Sequence, residues 1–107
     1  MFGSIMHARC KTEEAATQLL AHARRYAETL ATPSLISTEI AQEEGDPCSV
    51  WAVIHFTDRE AYRANGERPE TNAWYRTMLE LLDGEPEWHD VSYLGMAERV
   101  SAPNRVG

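Results

Sequence analysis

The stretch VWAVIHFTDREAYRAN, residues 50–65, decides the fold. Its first seven residues alternate by side: Val50, Ala52, Ile54 and Phe56 point one way, Trp51, Val53 and His55 the other. Period two over β-branched and aromatic residues is a strand signal. Thr57-Asp58-Arg59-Glu60 then has the form of a capping box, so a helix opens there and carries Ala61 and Tyr62. A strand therefore feeds directly into a helix.

Upstream, Gly45-Asp46-Pro47 is turn chemistry. Before it, SLISTEIAQEE alternates again, with Ile36, Thr38 and Ile40 against Leu35, Ser37, Glu39 and Ala41, so the two runs read as a hairpin. The N-terminal GSIMHARC is a third alternating run, placing Ile5, His7 and Arg9 opposite Met6, Ala8 and Cys10. A helix follows. Thr12 is its N-cap, and Glu13 and Glu14 sit where the helix dipole favours negative charge. Ala16, Leu19, Leu20, Ala23, Tyr26, Ala27 and Leu30 form its apolar stripe, and Pro33 ends the region.

Downstream, Asn65-Gly66 and Pro69 break the helix, and a second helical stretch starts near Pro69 and Glu70. Trp74, Tyr75, Met78, Leu79, Leu81 and Leu82 give it a wide apolar face, closed by Asp83-Gly84. EWHDVSYL is the last strand. Residues 1–95 thus make one domain, and the aperiodic tail 96–107 is expected to be loose or to lie on a partner subunit.

Strand, helix, strand, strand, helix, strand is the ferredoxin-like βαββαβ order of an α+β fold. The first and third strands are expected as central, parallel neighbours. Cys10 and Cys48 would then lie roughly 15–20 Å apart, beyond the reach of a disulfide. Met6, Ala8, Cys10, Ile36, Ile40, Val50, Ala52, Ile54 and Phe56 form a nearly clean apolar face, assigned to the helices. The other face carries Ile5, His7, Arg9, Glu39, Trp51, Val53 and His55. Trp51 and Val53 are too apolar for a central strand open to water, so a second copy is expected to pack sheet to sheet as a homodimer. His89 and Asp90 are consecutive in a strand and point to opposite faces, so EWHD is read as a strand entry rather than a His–Asp dyad.

With 107 residues and a net charge of −7, the chain has no basic footprint for nucleic acid and would be repelled by an anionic membrane surface. No apolar run approaches a membrane span, and the N-terminus has no signal-peptide pattern, so the chain is read as cytoplasmic with two reduced thiols. His7, His55 and Glu39 do not have the spacing of a ligand motif, and no metal is implied.

Three segments, MFGSIMHARCK, EIAQEEGDPCSVWAVIHFTDREAYRAN and LLDGEPEWHDVSYL, resemble the antibiotic biosynthesis monooxygenase family over about residues 2–94. The most specific part is the strand ending in an aromatic, then a polar cap, then Glu60-Ala61-Tyr62. The resemblance implies a dimeric α+β barrel. The family's haem-degrading branch uses a first-strand Asn and a histidine iron ligand. Here Met6-His7 offers no Asn, no His lies between Glu60 and Asp83, and Trp74 falls where the ligand would be. Indole has no lone pair for iron.

The quinone-forming branch fits better. It acts on aromatic polyketide-like phenols or anthrones, and the substrate itself is the reductant, so no cofactor is implied. Such chemistry needs a dry, aromatic-lined cavity and a group that handles a proton. Tyr26, Tyr62, Trp74, Tyr75 and Met78 are the candidate lining residues, His7 and His55 the candidate bases, and Arg9 a candidate phenolate partner. Placed by parity, the two histidines belong to the barrel interior, which counts against a helix-side base. Two alternatives stand beside the monooxygenase: a non-catalytic binding or interaction protein, and a cyclase or isomerase using the same cavity.

Overall fold

The computed structural model describes residues 1–99. Within them run β1 (Phe2–Arg9), α1 (Glu13–Thr29), β2 (Leu35–Glu43), β3 (Asp46–Phe56), α2 (Arg59–Gly66), α3 (Pro69–Leu79) and β4 (Glu87–Ser92). The strands form one sheet in the order β2-β3-β1-β4, the ferredoxin-like arrangement, with the helices on one face.

Every strand pairing in the sheet is antiparallel, including β1 with β3. This corrects the parallel pairing expected from the sequence. The hairpin returns β3 against the direction of β2, and β3 then inserts beside β1. The correction moves the cysteines. Arg9 faces Ser49, and the next step along brings the Cys10 amide to the Cys48 carbonyl at 2.7 Å. The two thiols are free but are cross-strand neighbours.

The face assignment holds for β1 and β3. Met6, Ala8, Cys10, Val50 and Ala52 are buried with Ala15, Ala16, Leu19, Met78 and Leu82 in one cluster. Ile36 departs from it. A register shift between Leu35 and Ser37 turns Leu35 inward and leaves Ile36 54% exposed. Thr12 caps α1 by accepting from the Ala15 amide at 3.0 Å, as its position predicts. At α2 the cap is Asp58 rather than Thr57, accepting from Ala61 N at 2.8 Å. The helix α3 ends at Leu79, short of Asp83. Leu81 and Leu82 instead hold the end of β1, with Lys11 N donating to Leu81 O and Asp83 N to Arg9 O. Residues 96–99 have no helix or strand, and 100–107, the rest of the expected tail, lie outside the described residues.

Candidate active site

The helix layer does not cover the sheet evenly. At the Cys10–Val50 end, α1 and the end of α3 press Leu19, Met78 and Leu82 onto Met6, Ala8 and Val50. At the Phe56 end the cover is α2, which buries none of its residues. Gly66 to Pro69 separates α2 from α3, with the α3 N-terminus carrying Pro as its sequence predicts. The layer is left lifted, and a cavity of about 410 Å³ lies beneath it.

Ile54, Phe56, Leu35 and Thr38 form the sheet wall of this cavity, and Trp88 and Asp90 project into it from β4. Tyr26 of α1, Tyr62 of α2, and Trp74 and Tyr75 of α3 line it on the helix side. Four of the five residues expected to line a pocket therefore do so. Met78 is elsewhere: it is 2% exposed and belongs to the packed cluster.

The aromatic walls are fixed by their polar ends. Trp74 Nε1 donates to His22 O at 3.0 Å, and His22 Nε2 donates back to Trp74 O at 3.0 Å while its ring stacks on the indole at 4.8 Å. Trp88 Nε1 donates to Tyr75 Oη at 3.1 Å. Tyr26 is buried, and its hydroxyl donates to Asn65 Oδ1 at 2.6 Å and meets Thr71 Oγ1 at 2.9 Å. These bonds leave each ring little freedom to turn, so the hollow keeps its shape.

At the other end of the hollow, Tyr62 stands edge-on to Phe2 and Phe56, each at 5.4 Å. Its hydroxyl donates to Asp90 Oδ1 at 2.8 Å. Burial pushes the Tyr62 phenol up to about 12, and the neighbouring Asp90 carboxylate adds to the shift. Tyr62 is thus a neutral hydrogen-bond donor at any ordinary pH. Asp90 is the only carboxylate among the described residues of the cavity wall. It keeps one oxygen for Tyr62 and has the other for a ligand.

In the sequence Asp90 carries no motif of its own, and beside His89 it reads only as half of a dyad. The dyad is absent, as parity predicts. No bulge interrupts the β1–β4 register, and His89 lies on the open face with Glu87 3.4 Å away. The same parity places Asp90 beside Trp88 on the helix side, and that was the available signal. Asn65, read as a helix breaker, also lines the cavity.

His7, His55 and Arg9 sit on the other face of the sheet. His7 Nε2 donates to Ser49 Oγ at 2.8 Å, Ser49 donates onward to Glu43 at 3.0 Å, and the His7 ring stacks on Trp51 at 4.0 Å. His55 pairs with Glu39 at 3.3 Å and stacks on Tyr93 at 4.4 Å. Arg9 forms a two-pronged pair with Asp46 at 3.0 and 3.2 Å. That pairing holds the Asp46 carboxyl below its usual range. The sheet separates all three from the cavity, and no group of three or more metal-ligating side chains occurs among the described residues.

No family model matches the chain, and no curated protein does. Solved structures do. SnoaB, a cofactor-independent oxygenase from Streptomyces nogalater, superposes with a TM-score of 0.75 over 92% of this chain and 97% of its own, at 14% identity. A monooxygenase from the gene ActVA-Orf6 of Streptomyces coelicolor, in complex with nanaomycin D, reaches 0.79 over 92% of each chain, at 17% identity. An antibiotic biosynthesis monooxygenase reaches 0.69 over 89% of this chain and 100% of its own, at 14% identity. At such identities the likeness is one of backbone, and this chain has the fold of the antibiotic biosynthesis monooxygenases.

Proposed function

We propose that the chain is a cofactor-independent monooxygenase that oxidises a polycyclic phenol or anthrone of polyketide type to a quinone. The observation that carries this reading is Asp90. A carboxylate bonded to a neutral tyrosine stands in the wall of a mainly apolar, ring-rich hollow whose volume, about 410 Å³, is that of a small-molecule site. Asp90 takes a proton from the substrate, from a phenol or from the acidic ring methylene of an anthrone. Tyr62 donates to the oxygen that gains negative charge. Trp74, Tyr75, Trp88 and Tyr26 hold the rings flat and keep water out.

The deprotonated substrate passes one electron to O₂, and the two radicals combine to a hydroperoxide. Loss of water then leaves the carbonyl. An anthrone and one O₂ give one anthraquinone and one H₂O, so no outside reductant is required. In this proposal the proton goes to Asp90 rather than to His7 or His55. The open face carrying Trp51, Val53 and Ile5 is the surface on which a second copy packs in a homodimer. The two unbridged thiols suit a cytoplasmic protein.

Anthrone oxidation followed under air and under nitrogen tests the reading. Quinone formation with equal O₂ uptake, abolished under nitrogen, is the expected result. Turnover that persists under nitrogen would indicate a cyclase or isomerase. Tight binding without turnover in either gas would indicate a binding protein.

A further inference from the structure

A second recess of about 250 Å³ adjoins the cavity, lined by Phe2, Arg59, Tyr62, Arg63, Asp90 and Ser92. Tyr62, Arg63 and Asp90 line both spaces, so the recess borders the cavity at these three side chains. The two differ in chemistry. The cavity is walled mainly by rings and aliphatic groups. The recess is flanked by two arginines one helical turn apart on α2, so both guanidinium groups lie on one side of the helix. Arg59 rests over the Phe2 ring at 5.1 Å, which limits its sweep. Neither arginine has an ion-pair partner among the described residues. Asp90, the one carboxylate of the recess, accepts from Tyr62 and lies beyond ion-pair distance of both arginines.

We infer that Arg59 and Arg63 bind a carboxylate carried by the substrate, so that the substrate class is an aromatic acid whose rings fill the cavity and whose carboxylate emerges between α2 and β4. The inference rests on the proposed function for the ring site and adds the anionic end. Guanidinium groups are suited to carboxylates because their N–H donors match the two oxygens. The arrangement also orients the rings. With the carboxylate fixed beyond Tyr62, the ring edge nearest to it lies against Asp90 and Tyr62, where the proton is removed.

Two redox-inert ligands separate this inference from the one beneath it: a dihydroxyanthraquinone bearing a ring carboxylate, and the same ring bearing a methyl group there. Affinities are read from quenching of the Trp74 and Trp88 fluorescence in the full chain. The carboxylate ligand is expected to bind about tenfold more tightly than the methyl ligand at low salt. The preference is expected to vanish in the Arg59→Gln/Arg63→Gln variant and to shrink in Arg59→Gln alone, where the methyl ligand is unaffected because Arg59 lines the recess and not the ring cavity. Should the double variant fail to fold, the wild-type chain still decides, because the preference must shrink as salt is raised. Equal binding of the two ligands at low salt, or a preference that survives the substitutions or high salt, overturns the anionic site and leaves the ring site standing. If neither ligand binds, both readings fall.

Discussion

The two ends of one sheet face are built from the same kinds of residue and end in opposite states. Val50 and Ile54 lie four residues apart on β3 and point the same way. Val50 is 1% exposed beneath α1, within the cluster of Leu19, Met78 and Leu82. Ile54 faces the hollow. The difference lies in what stands above them. The Val50 end is covered by helices that bury Leu and Met, whereas the Ile54 end is roofed by α2, whose residues stay at least partly exposed, and by rings tied to backbone and side-chain acceptors. A hydrophobic side chain collapses into free space. A ring anchored at its polar end does not, so the hollow persists without a ligand to prop it open.

This contrast predicts where substitutions act on stability and where they act on chemistry. Leu19→Ala, in the packed half, should lower unfolding stability by about 3 kcal/mol, from lost burial together with the cavity left behind. Urea denaturation checks this, and a loss below about 1 kcal/mol would mean that the packed half is not packed. Asp90→Asn, in the hollow half, should leave that stability nearly unchanged and lower kcat roughly a hundredfold, because an amide cannot accept the proton. An unchanged kcat would remove Asp90 from the mechanism.

The sequence displayed one half of this contrast better than the other. The alternation of β1 and β3 showed both faces, and Thr12 and Pro69 marked their helix starts. Helical spacing brought Tyr26, Trp74 and Tyr75 to the correct side. Strand direction lay not in the alternation, which is the same either way, but in the connections: a helical crossover carries β1 to β2 and the hairpin reverses β3, which the expected parallel pairing of β1 and β3 overlooked. The packing of Cys10 against Cys48 was lost with it. Ile36 was misplaced because a one-residue register shift leaves no mark in the hydrophobic pattern. The hollow itself was invisible. Whether Met78 fills a core or lines a pocket depends on how high α2 rides above the sheet, and no single residue encodes that height.

Tyr62 gives the next prediction, at high pH. Its phenol titrates near 10.0 in the unfolded chain and at about 12 in the fold. The folded-state value is raised, so the stabilisation is complete below the unfolded value and is lost as pH climbs through about 12. A shift of this size corresponds to at most about 2.7 kcal/mol, and for a half-exposed ring solvent screening reduces it to about 1 kcal/mol. Tyr62→Phe should therefore flatten the fall in stability over this alkaline range. Tyr93 and Cys10, whose values are also raised by burial, would retain their own smaller share of it. An alkaline profile identical to wild type would mean that the Tyr62 phenol is solvated rather than buried in the wall of the hollow.

The smallest effect is the most discriminating. Ile54→Val removes one methylene from the cavity wall. In a packed core this change costs roughly 0.5–1.5 kcal/mol, part of it from the space left empty. At Ile54 the space is empty already, so the loss should stay below about 0.5 kcal/mol. The same substitution makes the hollow larger, and larger ring systems should gain affinity relative to small ones. Measured with Val50→Ala on the same strand, it separates two origins of the hollow. If both variants lose stability in proportion to the methyl groups removed, the Ile54 end closes when empty and opens only around a ligand. If Val50→Ala is costly and Ile54→Val is almost free, the hollow is a standing feature of the fold, held open by Trp74, Trp88 and Tyr26.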